Sequence, residues 1–308
     1  MARVDLYQQV TDLIVAELEK GVAPWVRPWK SMGGVAGGLP RNGYTSRAYR
    51  GVNVWILVVT APARGFQDPR WFTFRQTKLL GAHVRKGEKA TLVSFWRDLT
   101  VRDEDAKTGE QREKKIPLLR AYPVFNATQC EGIADVASEP TSDDAEPRNT
   151  KLARLVAATG ANVSHGGDMA CYSPAFDRIQ MPMLEAFESE EHYWSTMLHE
   201  LTHWTGHKSR LDRDVSNRFG SLSYAAEELV AEMGSAFLCA ALGVDGELRH
   251  PEYLASWLTA FKDDKRALFY ASSLAQRAAD YLLESGRAAG TPERPAIGWK
   301  GRFGTRHP

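Results

Sequence analysis

Apolar residues at Leu6, Val10, Leu13, Ile14 and Leu18 repeat at the spacing of one helix face, with Asp5 placed to cap the start and Gly21 to stop the helix before Pro24. A Gly-rich stretch over 32–43 follows and reads as an irregular loop. The pattern then shortens: apolar and β-branched runs at Val52–Val59, Trp71–Phe74, Thr91–Trp96 and Pro117–Phe125, separated by charged turns, predict strands. Residues 131–150 carry Ser, Pro and acidic side chains with no apolar period, the composition of an exposed linker. Helical spacing returns beyond them. It predicts a helix from about Lys151, a strand pair around Ala170–Met181, a helix from about Glu191, another over Tyr224–Leu242, and two amphipathic helices, one carrying Leu254, Trp257, Leu258 and Phe261 and one over 264–286.

At 308 residues the chain exceeds the usual size of one domain. The fold class predicted is α+β in two domains. A small α+β domain occupies 1–130, an acidic flexible linker 131–150, a mainly helical domain with a small sheet 151–286, and a flexible tail 287–308. A hydrophobic content of 43% with 25% charged residues is ordinary for globular proteins, which sets aside disordered and fibrous classes. Asp5, Gln8 and Gln9 stand where a secretory signal needs an apolar run, and the longest apolar run, Val52–Thr60, is far short of the roughly 20 residues that cross a bilayer. A cytoplasmic protein without a membrane partner is expected. Cys130, Cys171 and Cys239 form no C-x-x-C pair, which argues against a disulfide framework or a thiolate zinc site.

The segment that carries chemistry is His199-Glu200-Leu201-Thr202-His203. Two imidazoles at i and i+4 project from the same side of a helix and can reach one ion, with Glu200 beside the open coordination position: the H-E-x-x-H arrangement of a zinc hydrolase. On a helical wheel Trp194, Met197, Leu198, Leu201 and Trp204 share one side and both histidines fall nearly opposite, off the core stripe.

A third ligand is needed. The metzincin pattern fits Gly206 but places Ser209 where a histidine is required, and His207 could serve only if the helix continued through Gly206. Glu228 and Glu232 lie at i and i+4 on the next predicted helix, while Glu227 points about 100° away from Glu228. This resembles the gluzincin arrangement, in which the first carboxylate binds metal and the second orients a ligand histidine. Glu228 is expected as ligand, Glu232 behind it, and Glu200 as the general base of peptide hydrolysis on one divalent ion, zinc with manganese as the alternative. The segment Tyr172–Met181 could accept substrate as an extra strand or be an ordinary buried hairpin.

Charge divides the chain. Residues 1–130 hold 21 Lys and Arg against 12 Asp and Glu, a net +9, whereas the remainder is net −8. A basic half beside an acidic one points to a polyanion partner. Its cations alternate with aromatics, the mixture that holds single-stranded nucleic acid by tracking phosphates and stacking on bases. Arg41, Tyr44, Arg47, Tyr49, Arg50 and Lys86, in polar loops, are the candidate contacts, while Trp55, Phe72, Phe74 and Phe95, in apolar runs, are expected in the core.

These residues look familiar as an ordered set. Pro40-Arg41-Asn42-Gly43, Tyr49-Arg50-Gly51-Val52-Asn53 and Gly81 to Gly87 ahead of Thr91–Trp96 resemble the N-terminal ssDNA-binding domain of ArdC-type antirestriction proteins and related plasmid primase segments. Asp177 to Pro182, His199 to His207, Arg210-Leu211 and Tyr224–Glu232 are similar to that family's zincin-like metallopeptidase domain. The resemblance implies a protein of conjugative plasmids that shields incoming single-stranded DNA from restriction, acting on a protein substrate such as a host restriction or DNA-associated protein. The alternative is a non-catalytic DNA-protecting binder whose metal site is structural. A nuclease fits less well, because a carboxylate third ligand typifies peptide hydrolysis rather than two-metal phosphoryl chemistry.

Overall fold

The computed structural model describes residues 5–26, 38–104, 111–134, 146–213, 222–245 and 253–290. Helix α1, Leu6–Leu18, starts where Asp5 accepts a hydrogen bond from the Gln8 backbone N–H and buries Leu6, Val10, Ile14 and Leu18. Strands β1 (Arg41–Asn42), β2 (Arg70–Phe72), β4 (Thr91–Glu104) and β5 (Gln111–Asn126) form a sheet of order β1-β2-β5-β4, dominated by the long antiparallel β4–β5 ribbon. A short ladder of β3 (His83–Val84) with β6 (Cys130–Glu131) closes the front half.

One predicted strand is a helix. The run at Val52–Val59 belongs to α2, Val52–Ala63. A continuous apolar run fits a buried strand and a buried helix equally, and periodicity cannot separate them. Here the helix is surrounded: Trp55 is fully buried and stacks on Phe237, with ring centroids 4.6 Å apart. A second short helix, α3 (Phe74–Leu79), begins within the run predicted as strand at Trp71–Phe74, where Thr73 and Gln76 form a capping box.

The back half follows the sequence closely. Helices α4 (Arg148–Thr159), α5 (Glu190–Thr205), α6 (Leu222–Leu242), α7 (Leu254–Asp263) and α8 (Ala267–Gly290) pack around a three-stranded sheet, β7 (Asn162–His165), β8 (Cys171–Ser173) and β9 (Arg178–Met181). Strand order is β7-β9-β8, so β8 is an edge and β9 lies in the middle. Helix α8 continues past Arg287, where the tail was expected to begin; residues 291–308, like the centre of the acidic stretch at 135–145, lie outside the described residues.

The two halves share one core. Trp25 meets both Trp55 and Trp257, at 6.1 and 5.6 Å between ring centroids, and Tyr7 of α1 packs on Phe269 of α8 at 4.7 Å. Thr11 also donates to the Lys265 carbonyl. Among the described residues no helix is long and apolar enough to cross a membrane.

Candidate metal centre

Helix α5 begins at Ser189, whose hydroxyl accepts from the His192 N–H, and ends where Gly206 follows Thr205. It lies against α6 on one side and the β8–β9 hairpin on another. The side bearing the histidines, opposite the apolar stripe, is nonetheless covered rather than solvated: His199 is 1% and Glu200 6% exposed. A helical wheel describes one helix alone, and here α6 supplies a second buried face.

Nε2 of His199 and Nε2 of His203 stand 3.1 Å apart, and Glu228 Oε2 lies 3.4 Å from the first and 3.6 Å from the second. Ligand bonds of about 2.0–2.1 Å in a tetrahedron set ligand atoms about 3.3 Å apart. The triangle has that size. Two ring nitrogens facing each other at this distance, next to a buried carboxylate, suit a shared cation, either a proton or a metal ion. The donor set fits a divalent metal held by His199, His203 and Glu228.

Proton energetics agree with the geometry. Burial alone would lower the His203 imidazole, yet Glu227 and then Glu228 raise it to about 10. Burial opposes ionisation of Glu228, but His199 and His203 hold its carboxyl below the usual carboxylate range. The cluster favours a positive charge, which a metal supplies more fully than a proton.

The carboxylate behind a ligand histidine is Glu227. Its Oε1 lies 3.2 Å from His203 Nδ1, and Arg213 grips it through Nε at 3.1 Å and a terminal nitrogen at 2.8 Å. With Nδ1 donating to Glu227, the lone pair of His203 is left on Nε2, toward the other two ligands. Arg213 also donates to Thr202 O and Thr205 Oγ1 at the end of α5, at 2.7 and 2.9 Å. Glu232 is buried one turn beyond Glu228 but does not line the cleft, and its expected part behind the ligands stays a proposal. On the wheel Glu227 points about 100° away from Glu228, so spacing alone does not bring it to the ligands. The adjacent glutamates reach opposite nitrogens of His203, Glu227 at Nδ1 and Glu228 on the Nε2 side that it shares with His199.

His207 does not join the ligands. The helix has ended, and its Nδ1 pairs with Ser209 Oγ at 2.8 Å. Arg210, three residues on, lies over the Trp204 ring at 3.8 Å, donates to Trp204 O at 2.6 Å, and binds Asp177 and the Tyr172 hydroxyl. It thus ties the β8–β9 hairpin to the end of α5. The resulting cleft, about 110 Å³, is walled by Cys171 and Tyr172 of β8, Glu200 and the ligands, and Tyr224.

Comparison with known proteins now decides the family. Residues 4–125 match the model described as the N-terminal domain of anti-restriction factor ArdC, and residues 150–274 match a zincin-like metallopeptidase. The chain is 43% identical to the antirestriction ArdC protein of plasmid R388 in its metal-free crystal structure, covering 92% of this chain and 99% of that one with a TM-score of 0.77. The chain belongs to the ArdC antirestriction family. The Mn(II)-bound structure of the R388 protein aligns with a TM-score of 0.76 at 41% identity, over 92% of this chain and 98% of that one. An uncharacterized protein, y4eC of Sinorhizobium fredii, is 41% identical over 90% of this chain and 91% of its own length. The DNA primase TraC of Escherichia coli is 36% identical over 90% of this chain, which spans 27% of that primase. These matches indicate a divalent-metal protein with plasmid-associated relatives.

In the ArdC-type front half, Tyr44, Arg47, Arg50 and Lys86 are exposed, while Arg41 and Tyr49 are half-buried. Arg50 bonds Asp280 of α8. Of the aromatics expected in the core, Trp55 and Phe72 are there, but Phe74 and Phe95 are 49% and 60% exposed. Phe95 stands on the β4–β5 ribbon, paired with Arg120. Tyr122, unremarked in the sequence, lies beside it.

Proposed function

We propose that this ArdC-family chain is a DNA-associated metallopeptidase of the antirestriction type, whose front half holds single-stranded DNA and whose back half cleaves a protein met there. The observation that carries the reading is the tetrahedral-sized triangle of His199, His203 and Glu228 with the Glu200 carboxylate in the same cleft. A divalent ion at that triangle, zinc or manganese, supplies Lewis-acid polarisation of a carbonyl and acidification of water.

The chain's own groups do the rest. Glu200 takes the proton of the attacking water and delivers it to the leaving amine. Glu227 keeps His203 in the tautomer that presents Nε2. Tyr224, whose hydroxyl burial and then Glu228 hold protonated, offers a hydrogen bond at the cleft wall. The edge strand β8, Cys171–Ser173, gives an extended peptide backbone a place to pair beside the ligands.

Replacing Glu200 with Gln tests this. Metal content and oligonucleotide binding are expected to persist while protection of transferred DNA during conjugation is lost. Protection at the wild-type level would overturn the peptidase reading and leave a DNA-protecting binder with a structural metal. Elemental analysis of the purified protein, with Glu228→Ala as the control that loses the ion, identifies the metal.

A further inference from the structure

The β4–β5 ribbon carries two exposed aromatic rings on one face. Register pairs Val93 with Tyr122 and Phe95 with Arg120, which places all four side chains on the same side. Val93 is buried as part of the floor, whereas Phe95 is 60% and Tyr122 39% exposed. Their rings sit edge to face, 5.9 Å between centroids and 84° between planes. The two rings in contact present aromatic faces and edges on which a further ring can stack.

Beside the rings runs a groove of about 470 Å³, bounded by Tyr49 and Arg50 on one side and floored by Val93 and Val124. Its polar floor is already committed. Asn53 donates to Ser94 O at 2.7 Å and accepts from Ser94 N and Oγ at 2.7 and 3.0 Å. The floor thus spends its hydrogen bonds on itself rather than on a ligand's edge. At the rim the Arg50 guanidinium is held by Asp280, with 62% of the Arg50 side chain exposed. An ion pair this exposed contributes little to stability, so the guanidinium can exchange Asp280 for another anion.

We propose that Phe95 and Tyr122 form the base-stacking platform of this protein for single-stranded DNA, with Arg50 and Arg120 as the phosphate contacts flanking it. The inference rests on the single-strand reading above and assigns it a surface. The net +9 charge of residues 1–130 fits a polyanion. Two rings with cations alongside fit an unpaired strand, because duplex bases are already stacked and hide their faces. A self-satisfied floor fits stacking without sequence readout. Phe95, expected in the core from its apolar run, and Tyr122 are both exposed on the ribbon, which makes them available.

The test uses the full-length metal-loaded protein and a fluorescein-labelled oligothymidine, with anisotropy read across a range of salt. Phe95→Ala and Tyr122→Ala are each expected to weaken binding roughly 5- to 150-fold, the range of losing one stacked base. The slope of log affinity against log salt is expected to stay unchanged in both, since no counterion is involved, and Phe95→Trp to restore the affinity. Arg50→Ala is expected to reduce that slope by roughly 0.7, the value for one phosphate on a single strand. Asp280→Asn, which frees Arg50, is expected to tighten binding. Wild-type affinity in both alanine variants, with loss in Arg47→Ala instead, would place the strand over the 41–50 loop and overturn the proposal alone. Absence of oligothymidine binding by the wild-type protein would remove the single-strand reading and the platform with it.

Discussion

Gly234 offers a sharp test of how the metal centre is built, because three helices meet at it. A Cβ added there would lie 2.6 Å from Thr202 Cγ2 and 3.1 Å from Thr202 Oγ1 on α5, with the Ala275 carbonyl of α8 at 3.5 Å. Thr202 cannot turn aside: it is fully buried and its hydroxyl donates to Leu198 O at 2.8 Å. Carbon–carbon contact needs roughly 3.5–4.0 Å, so α5 and α6 must separate by about 1 Å in Gly234→Ala. Glycine to alanine inside a helix is otherwise favourable by about 1 kcal/mol. Overpacking costs roughly 1–3 kcal/mol, and a methyl this close to a pinned side chain belongs at the upper end, leaving a net loss of about 1–2 kcal/mol. The effect on metal is expected to be larger than that on stability, since ligand distances tolerate about 0.2 Å and Glu228 rides on α6 while both histidines ride on α5. The assay is urea unfolding and competitive metal titration of Gly234→Ala, Thr202→Ser and the double variant. Thr202→Ser removes the offending methyl, so the double variant is expected to recover most of the lost stability and affinity, a coupling of about 2 kcal/mol. Gly234→Ala with wild-type stability and wild-type metal affinity would refute the steric account.

Two further expectations follow from the arginines after the motif. Arg213→Ala leaves Glu227 without its clamp, and together with Glu227→Gln is expected to weaken metal binding about 10- to 100-fold while the protein stays folded, as read by competition with a chromogenic chelator. The second concerns acid. Arg210, and then Tyr172, hold the Asp177 carboxyl below its usual value of 3.8, while partial burial opposes them. The stability this adds is present above about pH 4 and is lost as pH falls through the lower folded value. Wild type is expected to unfold at a higher temperature than Asp177→Asn at neutral pH, with the difference vanishing in strong acid. Asparagine tolerates the positive φ of 45° at this position, so the backbone is not the cause. A gap that persists unchanged to the lowest pH would refute the clamp.

Much of the back half was legible because its helices are amphipathic and long, and their caps and stops are written locally: Ser189 before α5, Gly206 after it. The H-E-x-x-H spacing fixes that His199 and His203 share one side of a helix whatever else the chain does. The α2 run was misread because a helix buried on every side has no polar phase to betray its period. Phe74 and Phe95 were misplaced for the reverse reason: burial is a property of what packs on a residue, and in the fold Phe74 stays 49% exposed and Phe95, edge to face with Tyr122, 60% exposed.

By itself the sequence settled which residue types stand at helical or strand spacing, the pair of imidazoles one turn apart, and the basic front against an acidic back. Only the tertiary structure decided that Glu227 meets His203, that Arg213 holds it, that Trp25, Trp55 and Trp257 weld the two halves into one core, and that Arg50 faces Asp280. The division has one physical cause. Spacing along a helix is set by backbone geometry and can be counted, whereas the crossing of α5, α6 and α8 is set by how closely residues such as Gly234, which lacks a side chain, and Thr202 let them approach, and that is a property of all three at once.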